Sequence, residues 1–163
     1  LPADTLLLLT ADHGMVDIAP EHRYDFSQDA SLVAGVRHTA GEPRMVHLYL
    51  EPGIGEQARR DLMNSWRAAY GNKIWIATRE EAVEAGYFGP VVSESVLPRI
   101  GDVLVMAREP IALYDLRRMK SSSLEVVGQH GSLTRAEREV PLLQLAAPAA
   151  KRNPGAQAGG RKK

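Results

Sequence analysis

Four consecutive leucines, Leu6 to Leu9, sit between Thr5 and Thr10 and run directly into Ala11 and Asp12-His13-Gly14. A continuous apolar run of roughly four to eight residues bounded by turn signals predicts a strand covered on both faces, as in the middle of a parallel sheet, although periodicity alone also fits a buried helix segment. The loop that follows would lie beyond the C-terminal end of a strand, where open α/β sheets bind their ligands. The run starts within a few residues of Leu1, which is not an initiator Met, and no charged segment, apolar stretch and small-residue cleavage site precede it. A domain opening on a central strand is expected to lack its beginning, so the chain reads as the C-terminal piece of a longer protein. Any export signal would lie upstream, which leaves the location open, with the cytoplasm favoured.

Beyond this run, strands and helices alternate. Asp29 to Gly35 predicts a short helix stopped by glycine. Arg44 to Leu50 alternates, with Met45, His47 and Tyr49 on one side and Val46, Leu48 and Leu50 on the other, which predicts a strand. From Glu56 to Tyr70, Ala58, Leu62, Trp66, Ala69 and Tyr70 recur at helical spacing, and Gly71 follows as a stop. Lys73 to Ala77 predicts a strand, and Thr78 with Glu81 is a capping-box pattern for a helix ending at Gly86. Strands are also expected at Asp102 to Ala107, Ala112 to Tyr114 and Val140 to Leu145. No fixed-period repeat and no heptad run is present, so the pattern is that of an α/β chain.

A length of 163 residues, 44% hydrophobic and 25% charged, suits one globular domain. No apolar run approaches the roughly 18 residues of a membrane span. With no cysteine, thiol catalysis, disulfides and Cys-ligated zinc are excluded, and any metal must be held by His and carboxylates. Charge is uneven along the chain. Residues 151–163 hold five basic side chains (Lys151, Arg152, Arg161, Lys162, Lys163) and no acid, leaving the first 150 residues at a formal −5. Residues 148–163, rich in Gly and charge without a large apolar side chain, are expected to be a disordered basic tail. A polyanion-binding arm is the functional alternative to a merely solvated tail.

The residues with chemistry to offer gather at two His-Gly steps, Asp12-His13-Gly14 and Gly128-Gln129-His130-Gly131-Ser132. An adjacent carboxylate and imidazole suit zinc or manganese better than magnesium or calcium. Glycine beside them lets the backbone approach closely, so that consecutive side chains can turn toward one ion. The plainer reading of such a step is a loop with a hydrogen-bonded Asp-His pair.

Thr10-Ala11-Asp12-His13-Gly14-Met15, Arg99-Ile100-Gly101-Asp102-Val103, Gly128-Gln129-His130-Gly131-Ser132-Leu133 and Val140-Pro141-Leu142-Leu143 occur in the order seen in the C-terminal half of the type I phosphodiesterase/nucleotide pyrophosphatase family. The chain resembles that family, within the alkaline phosphatase superfamily, from Leu6 to Leu145. The resemblance implies part of a three-layer α/β/α sandwich, with residues 1–147 as the C-terminal part of a phosphodiesterase-like catalytic domain. Residues 42–89 read as a small α+β insert over the site. It further implies two divalent metal ions, usually zinc with manganese as the alternative, beside a Thr or Ser nucleophile that is transiently phosphorylated or nucleotidylated. By position, Asp12 and His13 match the pair holding the metal nearest the nucleophile, and His130 matches the His completing the other site.

The nucleophile segment, a first-strand Asp and an Asp-x-x-x-His metal motif would all precede Leu1, and no Asp-x-x-x-His occurs in this sequence. One ion would keep two protein ligands and the other one, so weak or no stoichiometric metal binding and no activity are expected of the chain by itself. The implied partners are a phosphodiester or nucleotide substrate and the missing N-terminal half of the domain. Because ligands bind deprotonated, activity of a complete enzyme should fall as pH drops through the histidine range.

The other candidates read as structural. His47 fits a half-buried strand position, and His22 and His38 fit solvent-facing turns. Trp66 and Trp75 fit core or helix-strand packing rather than base stacking, because no basic run interleaves with them, so nucleic acid is not an expected partner. Ser121-Ser122-Ser123 reads as a loop, and Glu51-Pro52-Gly53-Ile54-Gly55 lacks the Gly-Lys-Ser/Thr ending of a phosphate loop. Two alternatives stay open. One is a phosphomonoesterase, phosphonate hydrolase or phosphoglycerate mutase of the same superfamily; the other is a non-catalytic α/β module tethered by its basic tail.

Overall fold

The computed structural model describes residues 5–145, so the tail expected at 148–163 lies outside the described residues. In chain order the elements are β1 (Leu7–Thr10), β2 (Val16–Asp17), β3 (Arg23–Asp25), β4 (Val36–Glu42), β5 (Met45–Leu50), α1 (Glu56–Tyr70), β6 (Ile74–Thr78), α2 (Arg79–Glu84), β7 (Val103–Ala107), β8 (Ala112–Tyr114), β9 (Gly128–Gln129), α3 (Arg135–Arg138) and β10 (Leu142–Leu145), with short 3-10 turns between them. The chain divides into two units, Leu1–Asp12 with Val140–Lys163, and His13–Glu139.

In the first unit β1 and β10 form an antiparallel ribbon, with Leu7 opposite Leu145 and Thr10 opposite Leu142. This corrects the expectation of a central strand in a parallel sheet. Both strands are exposed along their length. A two-stranded ribbon can satisfy half of each strand's backbone groups, but it has no second layer with which to cover a face. The last strand begins at Leu142 rather than Val140, after Pro141, which has no N–H to give to a ladder.

The second unit is built on a four-stranded antiparallel sheet in the order β4-β5-β7-β6. Alternation along β5 works as expected: Val46, Leu48 and Leu50 are buried, while Met45, His47 and Tyr49 are half-buried. The buried set joins Val103, Val105 and Ala107 of β7, Ile74 of β6 and Leu62, Met63 and Trp66 of α1 in one core cluster. Leu104 and Met106 point the other way and pack with Ala82 of α2 and Ile100. The sheet therefore carries α1 on one face and α2 on the other. All five residues of β7 are buried, so this strand has the two-sided cover that β1 lacks.

The helix ends obey local rules. The N–H of Glu81 donates to the Thr78 hydroxyl at 3.2 Å and the Thr78 N–H donates to the Glu81 carboxylate at 2.7 Å, so the capping box forms. Its helix ends at Glu84, a little before Gly86. The Trp66 indole N–H donates to the Leu32 carbonyl at 3.0 Å and ties α1 to the segment before β4.

That segment is not the expected helix from Asp29 to Gly35. It forms two 3-10 turns, Phe26–Gln28 and Ala30–Leu32. Asp25 and Asp29 each accept from the backbone N–H and the hydroxyl of the serine two residues on, which favours isolated turns over a continuous helix. Trp75 also departs from expectation. It is 36% exposed, with the Arg108 guanidinium 5.6 Å from its ring, because odd positions of β6 face away from the Ile74 side of the core. Ser121 to Ser123 open a 3-10 turn rather than an irregular loop. Among the described residues no helix is long and apolar enough to cross a membrane.

Candidate functional site

The two His-Gly steps meet because their flanking residues pair. β2 and β9 form a short antiparallel ladder with Val16 opposite Gln129 and Asp17 opposite Gly128. His13 lies just before one strand of this ladder and His130 just after the other, so residues distant in sequence arrive at the same end. Their imidazoles stack, with ring centroids 3.6 Å apart and planes inclined by 12°. Both rings are half-buried. His13 Nδ1 lies 2.8 Å from the Gly14 carbonyl. A carbonyl can only accept, so Nδ1 is the donor in this contact.

Glycine is required at both steps. A Cβ on Gly14 would stand 1.8 Å from the Ala136 carbonyl oxygen, and the Gly14 N–H donates to the Glu137 carbonyl at 2.8 Å. Gly131 has φ +117°, and a Cβ there would meet the Glu42 side chain at 2.8 Å. Asp12 is exposed and ends the first unit, joined to His13 by the chain itself.

A buried ion pair is tied to the backbone beside both steps. Arg44 Nε and Nη2 donate to the two carboxylate oxygens of Glu137 at 2.6 and 2.9 Å, and Arg44 Nη1 donates to the carbonyls of Glu109 and Ile111 at 2.9 and 2.8 Å. Glu137 also accepts from the Ser132 N–H at 2.9 Å and from the Thr134 hydroxyl. Burial pushes the Glu137 carboxyl up, but the hydrogen bonds from Arg44, Thr134 and Ser132 outweigh it and hold the group below the usual carboxylate range. The Ser132 hydroxyl donates to the Ala107 carbonyl at 2.5 Å, fastening the second step to the end of β7.

Sequence reasoning missed Arg44 and Glu137, though both leave a signal. Arg44 is in phase with Val46, Leu48 and Leu50, the buried side of β5, where a charge must find a partner. Thr134 and Glu137 have capping-box spacing directly after His130-Gly131-Ser132-Leu133. The other histidines stand apart from the stacked pair. His22 and His38 are exposed, and His38 accepts from the Arg118 guanidinium at 3.0 Å. His47 accepts from the Gly101 N–H at 3.2 Å, and burial pushes its pKa down. A cleft of about 550 Å³ in the second unit has Phe26, Val46 and Leu113 among its lining and Asp115 and Arg118 as charged members. Asp115 is already paired with Arg117, Arg118 and Thr39.

The in-plane lone pairs of two near-parallel stacked imidazoles do not converge on one point, so the stack of His13 on His130 is not by itself a shared-ion site. Among the described residues no group of three or more His, Asp or Glu side chains is assembled to hold a metal ion. Catalytic zinc sites use about three protein ligands.

Known proteins bear on this geometry. No curated protein matches the chain in sequence. Solved structures do match. Human ectonucleotide pyrophosphatase / phosphodiesterase 5 superimposes with a TM-score of 0.57 at 15% identity, covering 85% of this chain and 33% of that one. The murine protein, as an inactive variant in complex with AMP, gives 0.59 at 15% identity over 85% of this chain and 33% of its own. Phosphonoacetate hydrolase from Sinorhizobium meliloti 1021 in complex with phosphonoacetate gives 0.56 at 20% identity over 93% of this chain and 38% of its own. The chain thus spans about a third of the length of these structures and has part of their alkaline-phosphatase-like α/β fold. A profile described as type I phosphodiesterase / nucleotide pyrophosphatase matches residues 1–133, which include the first His-Gly step and end three residues past His130. With that match over most of its length, the chain belongs to the type I phosphodiesterase / nucleotide pyrophosphatase family of the alkaline phosphatase superfamily.

Proposed function

We propose that this chain is the C-terminal portion of a metal-dependent phosphodiesterase or nucleotide pyrophosphatase, whose Thr or Ser nucleophile lies outside it. The stacking of His13 on His130 carries the reading. Two imidazoles 117 positions apart are brought ring to ring by a two-residue ladder, each followed by a glycine whose replacement would collide. In this reading Asp12 and His13 belong to one divalent ion and His130 to a second, zinc or manganese by ligand type, with the remaining ligands supplied by the rest of the domain. Two such ions, when bound, supply Lewis-acid stabilisation of the phosphoryl oxygens. The residues of this chain hold and orient: the Gly14 carbonyl accepts from His13 Nδ1 and orients its ring, and the glycines let both loops close on their supports.

A nucleotide is the favoured substrate, since the murine relative holds AMP. A phosphonate is the second reading, because the phosphonoacetate hydrolase fold covers more of this chain. The segment 42–89, read as an insert shaping access to the site, contributes β5 and β6 on either side of β7.

The test uses the complete coding sequence read upstream of Leu1. The expressed protein should hydrolyse bis-p-nitrophenyl phosphate or a dinucleotide, and His13→Ala and His130→Ala should each lower the rate by more than the roughly 10–100-fold typical of losing a residue that only orients a ligand. Cleavage of phosphonoacetate alone would select the second reading. An open reading frame that starts at this chain, or hydrolysis indifferent to both histidines, would overturn the assignment.

A further inference from the structure

Glu137 is the residue on which both His-Gly steps rest. Its backbone carbonyl takes the Gly14 N–H, one residue after His13, and its side chain takes the Ser132 N–H, two residues after His130. Every acceptor position of the carboxylate is in use: one oxygen takes Arg44 Nε and Ser132 N, the other Arg44 Nη2 and the Thr134 hydroxyl. Arg44 is fully buried and is itself fixed by the Glu109 and Ile111 carbonyls, while its own carbonyl accepts from the Ala107 N–H at 2.7 Å at the end of β7. A rigid path of hydrogen bonds therefore runs from the central strand through Arg44 to Glu137, and from there into both loops.

An ion pair this deep is a poor stabiliser by itself, since the desolvation of both charges offsets much of their attraction, and apolar residues of similar volume often do as well. What it supplies that an apolar pair cannot is direction, because a bidentate guanidinium–carboxylate contact fixes the plane of both groups. Ser132 adds a second anchor through its hydroxyl on Ala107.

We propose that Arg44 and Glu137 are positioning residues that set the ring-to-ring placement of His13 and His130. This rests on the reading of the His-Gly steps as the functional site. They act through the backbone of Gly14, whose N–H donates to the Glu137 carbonyl, and of Ser132, whose N–H donates to the Glu137 carboxylate.

The test is spectroscopic and uses the whole chain, Leu1 to Lys163. With isotope-labelled histidine, the wild type should show a nuclear Overhauser contact between the His13 and His130 rings and ring-current shifts in both. Glu137→Gln keeps the shape but removes the charge and presents an amide N–H₂ to one of the donors. It should lose the inter-ring contact and move both ring signals toward those of free imidazole, while His22 and His47 and the methyl signals of β7 stay in place. A folded Glu137→Gln with the contact and both shifts intact would overturn the proposal and leave the ion pair a packing feature. If that variant does not fold, the paired replacement Arg44→Met with Glu137→Leu restores an apolar interior at this point. It should give a folded β7 core without the ring contact, and a retained contact would be equally fatal. Failure of the catalytic reading shows separately, as hydrolysis by the complete protein that ignores His130→Ala.

Discussion

Strands β1 and β7 are both unbroken apolar runs, yet Leu7 to Leu9 are 46–53% exposed and Val103 to Ala107 at most 1%. The difference lies in the neighbours. β7 has β5 on one edge and β6 on the other, with side chains of α1 on one face and of α2 on the opposite face. β1 pairs with β10, itself exposed along its length. An apolar run states how much cover a strand needs, and the chain around it decides whether that cover is supplied.

Matched truncations give the largest test of this contrast. Leu104→Ala, in the middle of β7, should destabilise the chain by about 2–5 kcal/mol, the range for large-to-small changes in a packed core. Leu8→Ala should stay within about 0.5 kcal/mol, as for surface positions. Urea unfolding followed by Trp66 fluorescence reads both. Equal losses would break the comparison, and would mean that the ribbon is covered in solution. Leu8→Thr sharpens it from the other side, by lowering the binding of a hydrophobic dye without moving the unfolding midpoint.

The cover over the second face of β7 can be loosened more gently. Thr78 caps α2, whose Ala82 packs with Leu104 and Met106. Thr78→Ala removes one half of the capping box and should cost about 1 kcal/mol. Serine at the same position should restore nearly all of it. No change with alanine would show that α2 is held by its packing and not by its start.

How much of this was legible in the sequence follows from how local each signal is. The α1 helix, the alternation of β5 and the capping box at Thr78 depend on residues a few positions apart, and they form as expected. The leucine run is exposed because burial is a property of the surrounding layers, which a local apolar run does not encode. Asp29 to Gly35 forms no continuous helix because the Asp29 carboxylate accepts the Ser31 N–H and hydroxyl, a local turn that competes with helical hydrogen bonding. At the candidate site the histidines were visible as His-Gly steps, but Arg44 and Glu137 are 93 positions apart and become a pair only through the fold. Their partnership is announced only indirectly, by a charge in phase with a buried strand face.

The smallest expected effect lies on the edge between β5 and β7, where His47 stands opposite Leu104. Burial pushes the His47 pKa below its ordinary value near 6.5, and its Nδ1 accepts from the Gly101 N–H, which requires an unprotonated nitrogen. The unfolded chain therefore takes up a proton at a higher pH than the folded one. The neutral ring's contribution to stability is fully present above about pH 6.5 and is lost as pH falls through the folded-state value. The slope stays below about 1.4 kcal/mol per pH unit, the limit for one proton taken up by the unfolded state alone. Thermal unfolding between pH 5 and 7.5 should show this limb in the wild type and a flatter one in His47→Asn, whose amide oxygen can accept the Gly101 N–H without titrating. Leu8→Ala should leave the limb untouched, because it belongs to the covered sheet. A limb that survives His47→Asn would move the proton to another group and take His47 out of the account.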